Sequence, residues 1–327
     1  MKTYSTATHW GAYNVETDND RIVSMHPFSV DPDPSQIGLG MPQAIHDCVR
    51  IEQPMIRKGW LDKKAGLQSS ARGSGPYIPV SWETASEIVA KEIDKTKRKF
   101  GNNSIFAGSY GWASAGRFHH ANSQLHRFMT IAGGYVFSKN TYSLAAGDVI
   151  LPHIIGMGTF EQMENSTPLE IIADNTQLLI SFGGIPIKNT QVEGGGMGMH
   201  HVRDVLRKCK AKNVNFVNFG PICSDMMSEL NAEWHANRPN TDTAIMLGLA
   251  HTILSLEIHD KKFLEKYCVG FEEFSNYLLG KSDGEPKNAS WASSISGINA
   301  QVIKDLAVRM TKARTLINLS WSTQRQD

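Results

Sequence analysis

The chain has 327 residues, 41% hydrophobic and 20% charged. That balance excludes intrinsic disorder, collagen and coiled coil, and the length suits about two domains with cores of their own. Lys+Arg 33 against Asp+Glu 32 leave a formal net charge of +1, so no global field draws the chain to nucleic acid or anionic lipid, and no apolar run reaches the roughly 20 residues that span a bilayer.

The opening is strand-like. Residues 7–16 and 21–28 flank Thr17-Asp18-Asn19-Asp20, a hairpin turn, and Asp31-Pro32-Asp33-Pro34 then imposes a loop. Residues 66–75 are rich in Gly and Ser and read as another loop. Ser81 is an N-cap for a helix from Trp82 to Phe100, with Ala85, Ile88, Val89 and Ile93 in one stripe and Gly101 as the stop. Residues 104–107 read as a short strand entering Gly108-Ser109-Tyr110-Gly111-Trp112, and a helix follows over 115–132. A clearer unit comes next: strand 177–182 ending at Gly183-Gly184, helix 200–212, and strand 214–219 ending at Gly220-Pro221. Buried-type strands joined through a helix predict a right-handed parallel βαβ unit. Helices over 241–256, 261–267, 272–279 and 300–312 and a last strand over 315–321 complete an α/β chain. Its ligands belong at the carboxyl ends of the strands.

Few residues declare chemistry by spacing alone. Cys48, Cys209, Cys223 and Cys268 contain no C-x-x-C, so neither a zinc site nor a cysteine-ligated iron–sulfur cluster is read. Residues 193–200 are glycine-rich before a helix, but the spacing is not G-x-G-x-x-G, and a loop fits better than a nicotinamide site. His119 and His120 point about 100° apart on a helix and do not share one ion. Tyr110 and Trp112 sit where an open α/β sheet places a ligand; packing of two aromatics is the plain alternative. Asp242 opens a helix, where it complements the macrodipole or accepts two N–H bonds from a guanine edge. Ser143 is mute by itself.

In order along the chain come His9-Trp10-Gly11, Asp31-Pro32-Asp33-Pro34, Arg50 through Arg57, residues 108–112, Gly133-Gly134, Tyr142-Ser143 with residues 149–153, Pro186-Ile187-Lys188, Arg238 through Asp242, residues 247–252, Ser282-Asp283-Gly284 and Trp321 through Arg325. This ordered set resembles the dimethyl sulfoxide, trimethylamine N-oxide and biotin sulfoxide reductase family of molybdopterin enzymes over almost the whole length. The resemblance implies a bis(molybdopterin guanine dinucleotide) molybdenum cofactor, no iron–sulfur cluster, and oxygen-atom transfer from a small S-oxide or N-oxide. It implies Ser143 as the metal ligand, Tyr110 as hydrogen-bond donor to the oxygen or substrate, and Trp112 as a wall of the pocket. Gly111, Trp112, Lys188, Gly220, Pro221, Asp242, Trp321, Gln324 and Arg325 are the cofactor-binding positions it implies. Gly220 and Cys223 depart from the family pattern, and Gly194–Met199 has no counterpart in it.

The implied layout is a small β-rich domain over 1–57, an α/β domain with the metal-ligand loop over 58–165, and a Rossmann-like domain over 166–327, doubly wound, that takes one guanine dinucleotide. The family's C-terminal β-barrel is absent from the sequence, which reads as an N-terminal portion. As its electron donor the resemblance suggests a protein such as a c-type cytochrome or a thioredoxin-like donor. With no signal pattern at Met1–Thr6, the expectation is a cytoplasmic protein, with the periplasm as the alternative.

Overall fold

A computed structural model describes residues 1–62, 73, 75–109 and 120–325. The chain divides into two compact units, residues 1–139 with 192–199, and residues 140–191 with 200–327.

The first unit opens with an antiparallel meander of β1 (Lys2–Thr8), β2 (Gly11–Asp18) and β3 (Arg21–Pro27). The expected single strand over 7–16 is therefore broken at His9-Trp10. Thr8 Oγ1 donates to Gly11 O at 2.9 Å and accepts from Trp10 N–H at 3.2 Å, closing a turn with no Gly-Asn signature. The next turn is as expected: Asn19 and Asp20 both take positive φ, as a two-residue hairpin requires. Tyr13 is the buried pin of this sheet, its hydroxyl donating to Ser35 O at 2.9 Å. A second, two-stranded sheet pairs β4 (Met55–Arg57) with β5 (Tyr77–Pro79). Helix α1 (Trp82–Phe100) follows, capped by Ser81 Oγ accepting from Thr84 N–H. The strand expected over 104–107 is reduced to an isolated parallel bridge, Phe106 to Val136, because residues 102–104 form a 3₁₀ turn. Helix α2 runs Ala121–Ile131. The glycine-rich stretch packs on the meander's first turn: Glu193 N–H donates to His9 O and Met197 N–H to Thr8 O. It does not open a helix.

The second unit is the predicted α/β body. Helices α3 (Ala145–Ile154), α4 (Thr159–Glu164) and α5 (Leu169–Asn175) lead into β6 (Leu178–Phe182). Then come α6 (Val202–Ala211), β7 (Asn215–Phe219) and β8 (Glu233–His235). Helices α7 (Asp242–Ser255), α8 (Lys261–Tyr267), α9 (Phe271–Leu278), α10 (Ala289–Ser296) and α11 (Ala300–Lys312) precede β9 (Thr315–Leu319). The predicted last strand stops at Leu319, because Ser320 caps a 3₁₀ turn over Trp321–Gln324. All strands are parallel, in the order β8-β7-β6-β9. In chain order this is 3-2-1-4, with the order reversing beside β6.

The strands are apolar on both faces because helices cover both. Leu178, Ile180, Phe182, Val217 and Phe219 pack on α7, α10 and α11 through Ile245, Leu249, Ala292, Ile303 and Leu306. On the opposite face Leu179 and Phe216 meet α5 and α6 through Ile172, Val205, Leu206 and Cys209. At roughly 1.5–3 kcal/mol for each fully buried large side chain, these two layers are what fix the positions of the strand ends.

Candidate functional site

At the carboxyl ends of the strands lies a cleft of about 150 Å³, lined by Gly183, Gly220, Pro221, Asn237, Pro239, Asn240, Asp242, Ser322 and Thr323. It collects the segments after β6, β7, β8 and β9, where an open parallel sheet leaves its crevice. Whole-ligand pockets run from about 300 Å³, so the cleft accommodates one end of a larger molecule.

The cleft is shaped by backbone. Gly183 has φ +90°, and a Cβ there would fall 2.6 Å from Ser320 Cβ. Ser320 N–H donates to Phe182 O at 2.9 Å, which seats the 3₁₀ turn on the end of β6. On the opposite wall Trp234 Nε1 donates to Gly220 O at 2.9 Å and Gly220 N–H donates to His235 O at 3.2 Å. These bonds hold the Gly220-Pro221 loop to β8.

Asp242 is the charge-bearing group of the cleft and is 9% exposed. Burial raises its pKa above the ordinary carboxylate value, opposed by hydrogen bonds from its own backbone N–H and from Asn237. Asn237 is 3% exposed. Its Nδ2 donates to Arg238 O at 3.1 Å and lies 3.4 Å from Asp242 Oδ1, while its Oδ1 is buried without a partner. Arg238 leaves the cleft: its guanidinium donates to Ser294 O and Ile295 O, closing the carboxyl end of α10. The cleft is thus lined by the polar side chains of Asn237, Asn240, Asp242, Ser322 and Thr323, with no cation among its lining residues.

Of the positions expected from sequence, Gly220, Pro221 and Asp242 come together in this cleft. Lys188 is exposed and pairs with Asp225 at 3.3 Å. Trp321 is half exposed at the start of the 3₁₀ turn. Gln324 and Arg325 reach away from the cleft to the segment of Ser143: Gly147 N–H donates to Gln324 Oε1 at 2.8 Å and Arg325 Nε donates to Ser143 O at 3.2 Å. Ser143 itself is half-buried, its N–H donating to Thr141 Oγ1 at 3.2 Å, and Leu144 beside it is 3% exposed. Tyr110, Gly111 and Trp112, and His119 with them, lie outside the described residues. Sequence reasoning passed over Gly183, Asn237, Ser322 and Thr323 as site residues. Asn237 had one available signal, a polar side chain five residues before Asp242.

Among the described residues no cluster of three or more His, Cys, Asp or Glu is arranged to hold a metal ion, and no helix is long and apolar enough to cross a membrane. His200 is buried with Nε2 3.2 Å from Gln191 O, and His126 contacts the Tyr135 hydroxyl. Cys209 is buried, and Cys48, Cys223 and Cys268 are exposed free thiols.

Residues 50–327 match the family described as molybdopterin oxidoreductase, and residues 6–46 match the molybdopterin oxidoreductase N-terminal domain. The chain is 36% identical over 323 residues to a dimethyl sulfoxide/trimethylamine N-oxide reductase of Rhodobacter capsulatus, covering 99% of this chain and 39% of that protein. It is 40% identical over 303 residues to a biotin sulfoxide reductase of Cereibacter sphaeroides, covering 93% and 41%. It is 34% identical over 326 residues to a trimethylamine-N-oxide reductase of Haemophilus influenzae, covering 100% and 39%. The chain thus spans about two fifths of the length of the curated relatives it matches. Among solved structures, acetylene hydratase from Pelobacter acetylenicus superimposes with a TM-score of 0.60 at 18% identity over 97% of this chain and 40% of that one, a likeness of fold. The chain belongs to the molybdopterin oxidoreductase family.

Proposed function

We propose that this chain forms the cofactor-binding part of a molybdenum-dependent reductase of S-oxides or N-oxides, with the cofactor in its bis(molybdopterin guanine dinucleotide) form and no iron–sulfur cluster. The observation that carries the nucleotide half of this reading is the polar cleft at the sheet's reversal point, with Asp242 as the charged residue in its lining. A guanine edge presents two N–H donors, and Asp242 offers the paired oxygens that match them. The unpartnered, buried Oδ1 of Asn237 is a second acceptor awaiting a donor. Gly183 leaves room for the Ser320 turn, which brings Ser322 and Thr323 to the cleft. The residues present fit the group.

When bound, the cofactor supplies two-electron oxygen-atom transfer, chemistry that side chains lack. The chain's own residues supply the rest. Asp242, Asn237, Ser322 and Thr323 bind and orient the nucleotide end, and a bound N–H edge favours the ionised form of Asp242 against the burial that opposes it. Ser143 offers a hard alkoxide oxygen suited to a high-valent metal. By the family resemblance Tyr110 would donate a hydrogen bond to the substrate oxygen and Trp112 would flank the metal, while Lys188, Gly220, Pro221 and Trp321 would add cofactor contacts. The names and identities of the relatives support the substrate class. Electrons would come from a separate donor protein.

The test uses full-length protein from a molybdate-replete host. Molybdenum and acid-released guanine nucleotide should be stoichiometric, and a viologen donor should drive reduction of dimethyl sulfoxide or trimethylamine N-oxide. Ser143→Ala should keep the nucleotide and lose at least about 100-fold in turnover, the scale set by a misplaced reacting centre. Folded protein without molybdenum or tungsten would sink the reading. The second reading, a binding part that catalyses nothing alone, is favoured by the two-fifths coverage of the relatives; turnover by residues 1–327 alone would dismiss it.

A further inference from the structure

Gln324 does a job that its place in the sequence does not suggest. Helix α3 begins immediately after Ser143, with Leu144 as its N-cap residue, and that cap makes no side-chain hydrogen bond. Leu144 is buried as an apolar anchor and has no acceptor to offer. The N–H groups of the first turn therefore need acceptors from elsewhere. The one that a capping side chain ordinarily takes, at the third helical position, belongs to Gly147. It donates to Gln324 Oε1 at 2.8 Å, across 177 positions of chain.

The fit at this contact is close. A Cβ on residue 147 would stand 3.1 Å from that same oxygen and 3.0 Å from Thr159 Oγ1. A side chain at 147 would press on both oxygens, and Gln324 would have to shift by a few tenths of an ångström from the position in which it accepts the amide. The neighbouring Arg325 Nε donates to Ser143 O at 3.2 Å. Two consecutive side chains thus grip both ends of the five-residue segment Ser143–Gly147. Their own footing is firm: Thr323 N–H and Thr323 Oγ1 both donate to Ser320 O, and Ser320 N–H continues the β6–β9 ladder onto Phe182 O. The opposite side of the same turn, Ser322 and Thr323, lines the Asp242 cleft.

We infer that Gln324 is a positioning residue for Ser143, capping α3 from across the unit so that the Ser143 segment holds one geometry, and that the 320–325 turn ties that geometry to the nucleotide cleft. This inference rests on the reading of Ser143 as the metal ligand. It assigns Gln324 to the ligand segment and away from direct contact with the nucleotide.

The experiment uses full-length, metal-loaded protein and reads the metal's X-ray absorption and EPR spectra beside steady-state kinetics. Gln324→Leu removes the acceptor; Gln324→Glu keeps an acceptor oxygen, and its charge suits a helix N-terminus. Gln324→Leu should keep its metal and guanine nucleotide, shift the spectra part of the way toward those of Ser143→Ala, and lower kcat by up to about 100-fold at near-constant KM. Gln324→Glu should return the wild-type spectra. Gly147→Ala, which displaces the amide without deleting it, should reproduce the Leu phenotype if Gln324→Leu folds poorly. Wild-type spectra in both Gln324→Leu and Gly147→Ala, with Ser143→Ala altered, overturn the positioning role alone. Loss of guanine nucleotide from Gln324→Leu with unshifted metal spectra also overturns it. Unaltered spectra in Ser143→Ala overturn the ligand reading and this inference with it.

Discussion

Gly183→Ala tests how tightly the end of β6 is built. Two costs are visible. The backbone sits at φ +90°, a left-handed conformation that costs an L-residue roughly 1–2 kcal/mol. The new Cβ would lie 2.6 Å from Ser320 Cβ, against about 3.5–4.0 Å for carbons in contact. Relieving such an overlap in a packed site costs typically about 1–3 kcal/mol. The sum is about 2–5 kcal/mol, well under the roughly 5–15 kcal/mol that holds a domain together, so the unit still folds. Amide hydrogen exchange on Leu178–Phe182 in the full-length protein measures the loss where it occurs. Ser320→Gly removes one partner of the overlap. A double-mutant cycle of the two substitutions should therefore show a coupling of about 1–3 kcal/mol, leaving the backbone part. A loss under about 1 kcal/mol for Gly183→Ala, or strict additivity in the cycle, would refute the claim that the 3₁₀ turn is seated on this glycine.

Other expectations follow from burial. Because burial raises the Asp242 pKa, the folded chain holds that proton more tightly than the unfolded one. Stability from this group should therefore fall as pH rises from its unfolded pKa, about 3.9, through the folded value. Asp242→Asn should flatten that part of the ligand-free stability–pH curve, and an unchanged curve would show that the carboxyl is solvated. Leu206→Ala, at a position with no exposure between α6 and the sheet, should cost about 2–5 kcal/mol in denaturant unfolding; a cost below 1 kcal/mol would mean that the α6 face is loosely packed.

Where local signals and tertiary demands agreed, the chain was readable. Helix Trp82–Phe100 appears residue for residue, because Ser81 and Gly101 each supply a terminal signal that nothing overrides. Helices Lys261–Tyr267 and Ala300–Lys312 likewise match, and the buried-type strands behave as the double coverage requires. Helix Ala145–Ile154 was passed over because its apolar residues run together and Pro152 interrupts it. Its start is marked by an acceptor outside the local sequence. The break at His9-Trp10 was hidden for a related reason, since a threonine hydroxyl makes the turn where Gly or Asn would have announced it. At the site, spacing shows Asp242 as the first residue of a helix, while its place in the cleft depends on loops that spacing does not specify. The partnership of Gln324 with Gly147 spans 177 positions and that of Arg325 with Ser143 spans 182. No periodicity or spacing carries information over that distance.

That long reach also sets an order of events in time. Arg325 follows Ser143 by 182 positions, and at synthesis rates of about 5–20 residues per second it leaves the ribosome roughly 10–40 seconds later. Until then the Gly147 amide lacks its Gln324 acceptor and the Ser143 carbonyl lacks its Arg325 donor. The segment therefore gains its final form only when the sheet is completed on its far side. A newly made chain passes through an interval in which the sheet's first three parallel strands have been synthesised and the serine segment still lacks these two bonds.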